Sequence, residues 1–377
     1  MRAGGLLEYR SVVEDCGSSI GVFVVRLKRF EGAWTALVTP FTPHDRVARA
    51  EFEQLVNFQI GQGITGLVPT GTTGESPTLT WPEHNHVIEA TVRLSRGKCF
   101  VLAGTGSNST DEALRGSHHA MEAGAEGVLL VDCYYSGPSS LELRREYHGV
   151  IAAACPEAMI VPYIIPGRTG CAMSPEDLAI LAQEHPNVRA VKEATGDLKR
   201  MAYTRSLVGK GFDIVSGDDN LTPTMMTDPA IRASGVISVV SNVVPGAVQA
   251  MTQAFRRGRR KEGERLAKAL APLFNIVTVS ADDARTLRRR SATVRDKFRN
   301  PLPIKTLMRG LGMIHGGCRR PLGHMTAAGV AVVREAARAV WQANPEILAP
   351  IESAFGVSLE ARLADDRLWA SLAYPAA

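Results

Sequence analysis

From residue 34 the chain repeats a rhythm. A short β-rich apolar run ends in a Gly, Thr, Asp or Lys cluster, and a helix-period stretch of ten or more residues follows. The apolar runs are Trp34–Thr39, Gly66–Thr70, Cys99–Ala103, Gly127–Asp132, Met159–Ile165, Val188–Lys192, Phe212–Ser216 and Gly235–Val240. Between them lie helix candidates at Ala50–Gln62, Pro82–Ser95, Thr110–Ala123, Ser139–Ala154, Pro175–Glu184 and Leu198–Val208. Strands that alternate with helices predict parallel β/α architecture. The strands read as continuous apolar runs, as expected when both faces of a sheet are covered. Eight such units predict a (β/α)8 TIM barrel. The runner-up, a doubly wound open sheet, lacks its GxGxxG fingerprint after the first strand.

Helix starts are signed locally. Thr80-Trp81-Pro82-Glu83 and Ser174-Pro175-Glu176 place a hydroxyl cap before Pro and Glu, and Asn108 or Ser109 can cap the next helix. After Gln253 the rhythm stops. Helical patterns over about 257–277, 303–313 and 326–343, joined by an Arg-rich segment (Arg285–Pro303), predict a C-terminal helical appendage. The expected organisation is an N-terminal extension (1–29, poorly ordered), a catalytic barrel (30–256), a helical region (257–344) and a weakly patterned tail (345–377).

Composition narrows the class. Hydrophobic residues make up 45% and charged residues 21% of the 377, which excludes a disordered or fibrous chain. No uncharged apolar run approaches the ~18 residues of a membrane span. Glu8, Arg10, Glu14 and Asp15 interrupt any signal-peptide apolar core. Six scattered cysteines without CxxC spacing predict buried free thiols and a cytoplasmic setting. The net charge is +5, yet residues 256–320 hold 18 Lys+Arg against 5 Asp+Glu. That stretch lacks interleaved aromatics, so it reads as a solvated helical face and not as a nucleic-acid surface.

In a barrel, chemistry sits on the loops that follow the strands. Strand two leads into Gly71-Thr72-Thr73-Gly74-Glu75-Ser76, strand four into Tyr134-Tyr135, and strand five ends in Tyr163 before Pro166-Gly167-Arg168-Thr169-Gly170. Strand six ends in Lys192-Glu193-Ala194 and strand seven in Ser216-Gly217-Asp218-Asp219. A lysine that closes an apolar strand is either a nucleophile or half of an ion pair with Glu193 or an Asp. A Schiff-base role requires a lowered pKa, because at the ordinary value only about 1 lysine in 2500 is neutral at pH 7. Tyr163, beside that amine and two threonine hydroxyls, suits a proton shuttle. Arg168 has the planar fork that grips a carboxylate. GTTGES lacks the GK[ST] ending of a phosphate loop. The histidines show no metal-ligand spacing: His84 and His86 point apart on a helix. No metal and no cofactor are expected.

At these residues the chain resembles the dihydrodipicolinate synthase / N-acetylneuraminate lyase family of class I aldolases, over about Phe30 to Val340. The matching pieces are Thr35–Phe41, GTTGES, Ala103–Gly106, the tyrosine pair, Pro166–Gly170, Val191-Lys192-Glu193-Ala194-Thr195-Gly196, Ser216–Asp219 and Gly235–Ser238. Two threonines in the first loop, together with the tyrosine pair, resemble the synthase branch, which condenses pyruvate with aspartate-4-semialdehyde in lysine and diaminopimelate synthesis. The resemblance implies that Lys192 forms the Schiff base and Tyr163 is the general acid/base. It implies that Thr72 and Tyr135 complete a proton relay, with Tyr135 reaching into a neighbouring subunit's site. Thr73 and Ile237 match pyruvate-contacting positions, Arg168 the arginine that grips the semialdehyde carboxylate, and Gly217 a substrate-pocket backbone position.

The resemblance also implies self-association, as a dimer of dimers. Ser76, His84, Asn108, Glu112 and Tyr134 match an end-product site for L-lysine, whereas Pro77 and Trp81 depart from it, so weak, partial inhibition is expected. Three further departures stand out. Ile164 replaces the usual Asn, which bears on pocket polarity. Ala281–Arg299 is inserted before Asn300-Pro301-Leu302-Pro303-Ile304-Lys305, and both termini exceed the family core. The rivals are a sibling aldolase acting on a 2-keto-3-deoxy sugar acid, 4-hydroxy-2-oxoglutarate or N-acetylneuraminate, and a non-catalytic protein using the basic face.

Overall fold

The computed structural model describes residues 29–288 and 290–375. Eight parallel strands close into a barrel in chain order: β1 (Gly32–Ala36), β2 (Gly66–Val68), β3 (Phe100–Gly104), β4 (Gly127–Val131), β5 (Met159–Ile164), β6 (Ala190–Glu193), β7 (Asp213–Ser216) and β8 (Gly235–Ser238). β8 pairs with β1, with Gly32 opposite Gly235, and leaves no edge. The predicted barrel is therefore the observed fold, and an open doubly wound sheet is excluded.

The continuous apolar runs have a direct cause. On β5, Met159, Val161 and Tyr163 point into the barrel among Trp34, Leu129, Val215 and Ile237. Ile160 and Ile164 point outward among Leu143, Leu178 and Val191. Both faces are dry, so no polar alternation survives. Phe30 and Trp34 stack with ring centroids 4.0 Å apart and fill part of the interior.

The helix caps form as signed. The Thr80 hydroxyl accepts the Glu83 N–H at 3.4 Å, and the Glu83 carboxylate accepts the Thr80 N–H at 3.0 Å, which opens the helix Trp81–Ser95. Ser174 caps Pro175–Glu184, and Ser109, not Asn108, caps Thr110–Ala123. The predicted helix Ser139–Ala154 is interrupted: Ser140–Glu142 and Gly149–Ala154 flank a π-helical turn, Leu143–His148.

Beyond the barrel, helices Arg260–Phe274, Leu302–Leu311 and Ala327–Ala343 share one core with its first and last units. The region 257–344 is not wholly helical, however. β9 (Thr278–Leu287) and β10 (Arg290–Arg299) form an antiparallel hairpin with ten paired positions, where an Arg-rich joining segment of a helical face was expected. Only its base is dry. Val279 and Ala281 are buried, and Phe298 packs against the core cluster. The outer part is held by the backbone ladder and by pairs such as Arg285–Asp296, so it carries no apolar stripe that a period could reveal.

The segment after residue 345 folds as four short helices, Pro345–Leu348, Pro350–Phe355, Leu359–Ala364 and Asp366–Ala370. They bury Ile347, Leu348, Ile351, Leu359, Leu363 and Trp369 in the same core. Each is too short to display a helical repeat. Among the described residues no helix is long and apolar enough to cross a membrane. Cys99, Cys133, Cys155, Cys171 and Cys318 are free thiols. Cys16 and the expectation for residues 1–28 lie outside the described residues.

Candidate active site

β6 alternates Ala190 in, Val191 out, Lys192 in, Glu193 out. Glu193 therefore faces the helices, where its carboxylate lies 3.6 Å from Arg200 and accepts the Thr195 N–H at 3.1 Å. This geometry rules out the Lys192–Glu193 pair that the sequence left open. Lys192 is opposite Tyr163 in the strand register, and its Nζ sits 4.0 Å from the centre of the Tyr163 ring. Burial pulls the Lys192 pKa down to about 7; the Asp219 carboxylate opposes that shift and Arg168 adds to it. At that value about half of the amine is neutral near pH 7. Gly217 makes room for the lysine stem: a Cβ there would lie 3.1 Å from Lys192 Cε and 2.8 Å from the Ala194 side chain.

Tyr163 is buried, and burial pushes its hydroxyl up to about 12 against the opposing pull of Arg168 and a hydrogen bond with Thr72. The phenol therefore stays protonated and can lend its proton to a reacting oxygen or nitrogen. Ile237 lines the interior on β8, adjacent in register to Trp34. Ile164, expected to alter pocket polarity, points outward and is fully buried, so it leaves the pocket unchanged.

The GTTGES loop is held from several sides. Thr70 and Glu75 adopt left-handed backbone, with φ of 54° and 57°. The Thr39 hydroxyl donates to the Gly74 carbonyl at 2.8 Å. Glu75 meets Lys305 of the C-terminal region at 2.5 Å, both side chains being buried, and Lys305 also donates to the Thr39 carbonyl at 2.9 Å. Thr73 accepts from the Asn300 amide at 2.9 Å. Arg168, on the short helix Pro166–Thr169, donates to the Asn300 carbonyl at 2.7 Å, and burial lowers its pKa.

The structure thus gathers Lys192, Tyr163, Thr72, Thr73, Arg168, Gly217 and Ile237 within one chain. Tyr135 is not brought there: it is 97% exposed on left-handed backbone, φ 80°. Three residues gain a role at the site that the sequence did not assign them. Asp219 is buried, with Oδ2 accepting the Val239 and Val240 N–H groups at 2.9 and 3.2 Å, and burial raises its pKa to about 6. Asn300 and Lys305 arrive from beyond the inserted hairpin, and only tertiary contact reveals their role.

Of the other sequence-singled positions, His84 is turned inward. Its ring Nε2 pairs with the Gly104 carbonyl at 2.9 Å, and burial lowers its pKa. Glu112 accepts from the Ser107 hydroxyl at 2.6 Å, and Asn108 Oδ1 accepts the Tyr134 N–H at 2.8 Å. Ser76 is half-buried, and Trp81 stands 40% exposed with its ring edge-on to His84.

Comparison with known proteins places this geometry. The Dihydrodipicolinate synthetase family matches residues 29–339. The 4-hydroxy-tetrahydrodipicolinate synthase of Syntrophus aciditrophicus is 39% identical over 297 residues, covering 79% of this chain and 94% of that protein. The protein of the same name from Geobacter sulfurreducens is 40% identical over 298 residues, with the same coverages. Among solved structures, the 4-hydroxy-tetrahydrodipicolinate synthase of Methylacidiphilum fumariolicum SolV superposes with a TM-score of 0.75 at 31% identity, over 87% of this chain and all of that one. DHDPS from Cyanidioschyzon merolae, determined with lysine bound, gives 0.74 at 33% identity over 82% of this chain and 98% of that one. By sequence and by fold, the chain belongs to the Dihydrodipicolinate synthetase family.

Proposed function

We infer that the chain is a 4-hydroxy-tetrahydrodipicolinate synthase, a Schiff-base lyase that condenses pyruvate with aspartate-4-semialdehyde. One observation carries the reading: a buried lysine amine with a pKa near 7 lies against a buried, protonated tyrosine at the catalytic end of a closed barrel. The neutral Lys192 amine attacks the keto carbon of pyruvate, and the carbinolamine loses water to give the imine. Loss of a proton from the pyruvate methyl group gives the enamine, whose carbon attacks the aldehyde carbon of the second substrate. Tyr163 supplies and recovers protons through Thr72. The amino group of the second substrate then displaces Lys192 by attack on the imine carbon. The ring closes and the free lysine returns.

Arg168 holds the second substrate's carboxylate, and Thr73 with Ile237 lines the pyruvate pocket. The outward Tyr135 serves a second copy of the chain, so the working unit is a dimer or a dimer of dimers. Glu112, Asn108 and Tyr134 form a polar cluster that suits weak, partial inhibition by L-lysine, read as initial rate against lysine at fixed pyruvate. Asn108 and Glu112 are already engaged within the chain, which favours weak binding.

The direct test supplies pyruvate with a panel of aldehydes. Aspartate-4-semialdehyde is the one consumed. Preferential turnover of a sugar-acid aldehyde would assign a sibling aldolase instead.

A further inference from the structure

Asn300 is less than one-tenth exposed and is tied at three points. Its N–H donates to the Val277 carbonyl at 2.9 Å, its own carbonyl accepts Arg168 Nη2 at 2.7 Å, and its Nδ2 donates to Thr73 Oγ1 at 2.9 Å. Its Oδ1 is buried and has no partner among the described residues. A buried amide oxygen left without a donor is costly. The residue is therefore held here for what its nitrogen and main-chain carbonyl do.

A threonine hydroxyl has one hydrogen to give and lone pairs that accept. Thr73 is 3% exposed, and among the described residues its only hydrogen-bond partner is the Asn300 nitrogen, which occupies a lone pair. The hydroxyl hydrogen must then point elsewhere, toward a ligand that can accept it. A carboxylate accepts and cannot donate, so a carboxylate oxygen suits the free hydrogen of Thr73.

We propose that Asn300 is a positioning residue that holds the Thr73 hydroxyl as a hydrogen-bond donor to the carboxylate of the 2-oxo acid. Through its main-chain carbonyl it also steadies Arg168, so one residue aligns the groups for both substrates. The proposal rests on the reading of Thr73 as a pyruvate contact.

The test uses the full chain with Asn300→Asp, Asn300→Ala and Thr73→Val. Folding is checked by circular dichroism, and kcat and KM are measured separately for pyruvate and for the aldehyde. Asn300→Asp is nearly isosteric, but its carboxylate would take the Thr73 hydrogen and place a negative charge beside pyruvate. Pyruvate KM should rise about 10- to 100-fold, with kcat falling much less and aldehyde KM within about threefold. Asn300→Ala frees the hydroxyl to rotate and should raise pyruvate KM only several-fold.

That order, with the isosteric change worse than the truncation, is opposite to what a packing role gives. Pyruvate KM within twofold of the parent for Asn300→Asp, or a larger effect from Asn300→Ala, overturns the proposal. If Asn300→Asp does not fold, Asn300→Ala decides alone: an unchanged pyruvate KM overturns it. Thr73→Val separates the two readings. If it leaves pyruvate KM unchanged, the assignment of Thr73 fails and the proposal with it. If it raises KM while the Asn300 variants do not, only the role of Asn300 fails.

Discussion

The mouth of the barrel and the hairpin Thr278–Arg299 differ in what holds them. At the mouth, Lys192, Tyr163 and Asp219 sit in a dry interior that shifts all three pKa values. The hairpin has a full backbone ladder, but its outer half is exposed, with Leu287 68% accessible. Burial makes groups reactive and leaves an apolar signature along the chain. A ladder with surface charges does neither. An isolated two-stranded hairpin is marginal in water, and this one is anchored at its base by Val279 and Phe298 in the core cluster, with Ala281 also buried. The two regions meet at Asn300, which follows β10 directly and reaches the site.

If burial is the source of reactivity, changes at the mouth should dominate. Lys192→Met should reduce turnover to background. It should also raise stability near neutral pH. The folded pKa of about 7 lies below the ordinary lysine value, so the unfolded chain binds the proton more readily. That penalty is full below pH 7 and fades as pH rises toward 10. The gain in unfolding midpoint over the parent should therefore shrink between pH 7 and 10; a gain that grows with pH would contradict the burial argument. The parent's rate of imine formation should climb through pH 7 as the amine loses its proton, which a stopped-flow pH profile checks.

Tyr163→Phe should preserve the fold and pyruvate binding and lower kcat by ~10²–10⁴-fold. Turnover within a few-fold of the parent would remove Tyr163 from the proton path. Lys305→Met leaves the Glu75 carboxylate buried with the Arg319 N–H but without its cationic partner and should cost about 3–5 kcal/mol in denaturant unfolding. A cost under ~1 kcal/mol would mean that Glu75 is rehydrated and that the GTTGES loop does not depend on the C-terminal region.

The smallest effect should come from the hairpin. Replacing residues 282–295 by Asn-Gly joins Ala281 to Asp296, which face each other across the ladder. Exposed ion pairs contribute only ~0–1 kcal/mol each, so stability and pyruvate KM should change little. A large loss in either would erase the distinction between the two regions.

The parts legible in the sequence are those whose physics is local. Eight apolar runs bounded by turn residues mark eight strands, because each strand is dry on both faces. Thr80, Ser109 and Ser174 mark helix starts, because a cap acts within three residues. Lys192 stands out because a charge at the end of an apolar strand needs a reason. Asp219 lies in a motif the sequence marks, but its hold on the Val239 and Val240 N–H groups was not legible, and neither were Asn300 and Lys305 as parts of the site, since these roles exist only once separate segments meet. Lys305 is 230 positions from Glu75 and Asn300 is 227 from Thr73. The hairpin escaped because residues 282–297 place charges on both faces, and the last four helices escaped because each spans less than two turns.

The most direct measurement of the central claim is chemical. Pyruvate and borohydride are added to the parent chain, and the reduced adduct is mapped by peptide mass spectrometry. The account predicts a single modified site at Lys192, absent in Lys192→Met and retained in Tyr163→Phe. Label on Lys199, Lys210 or Lys305 instead, or none in the parent, would contradict it.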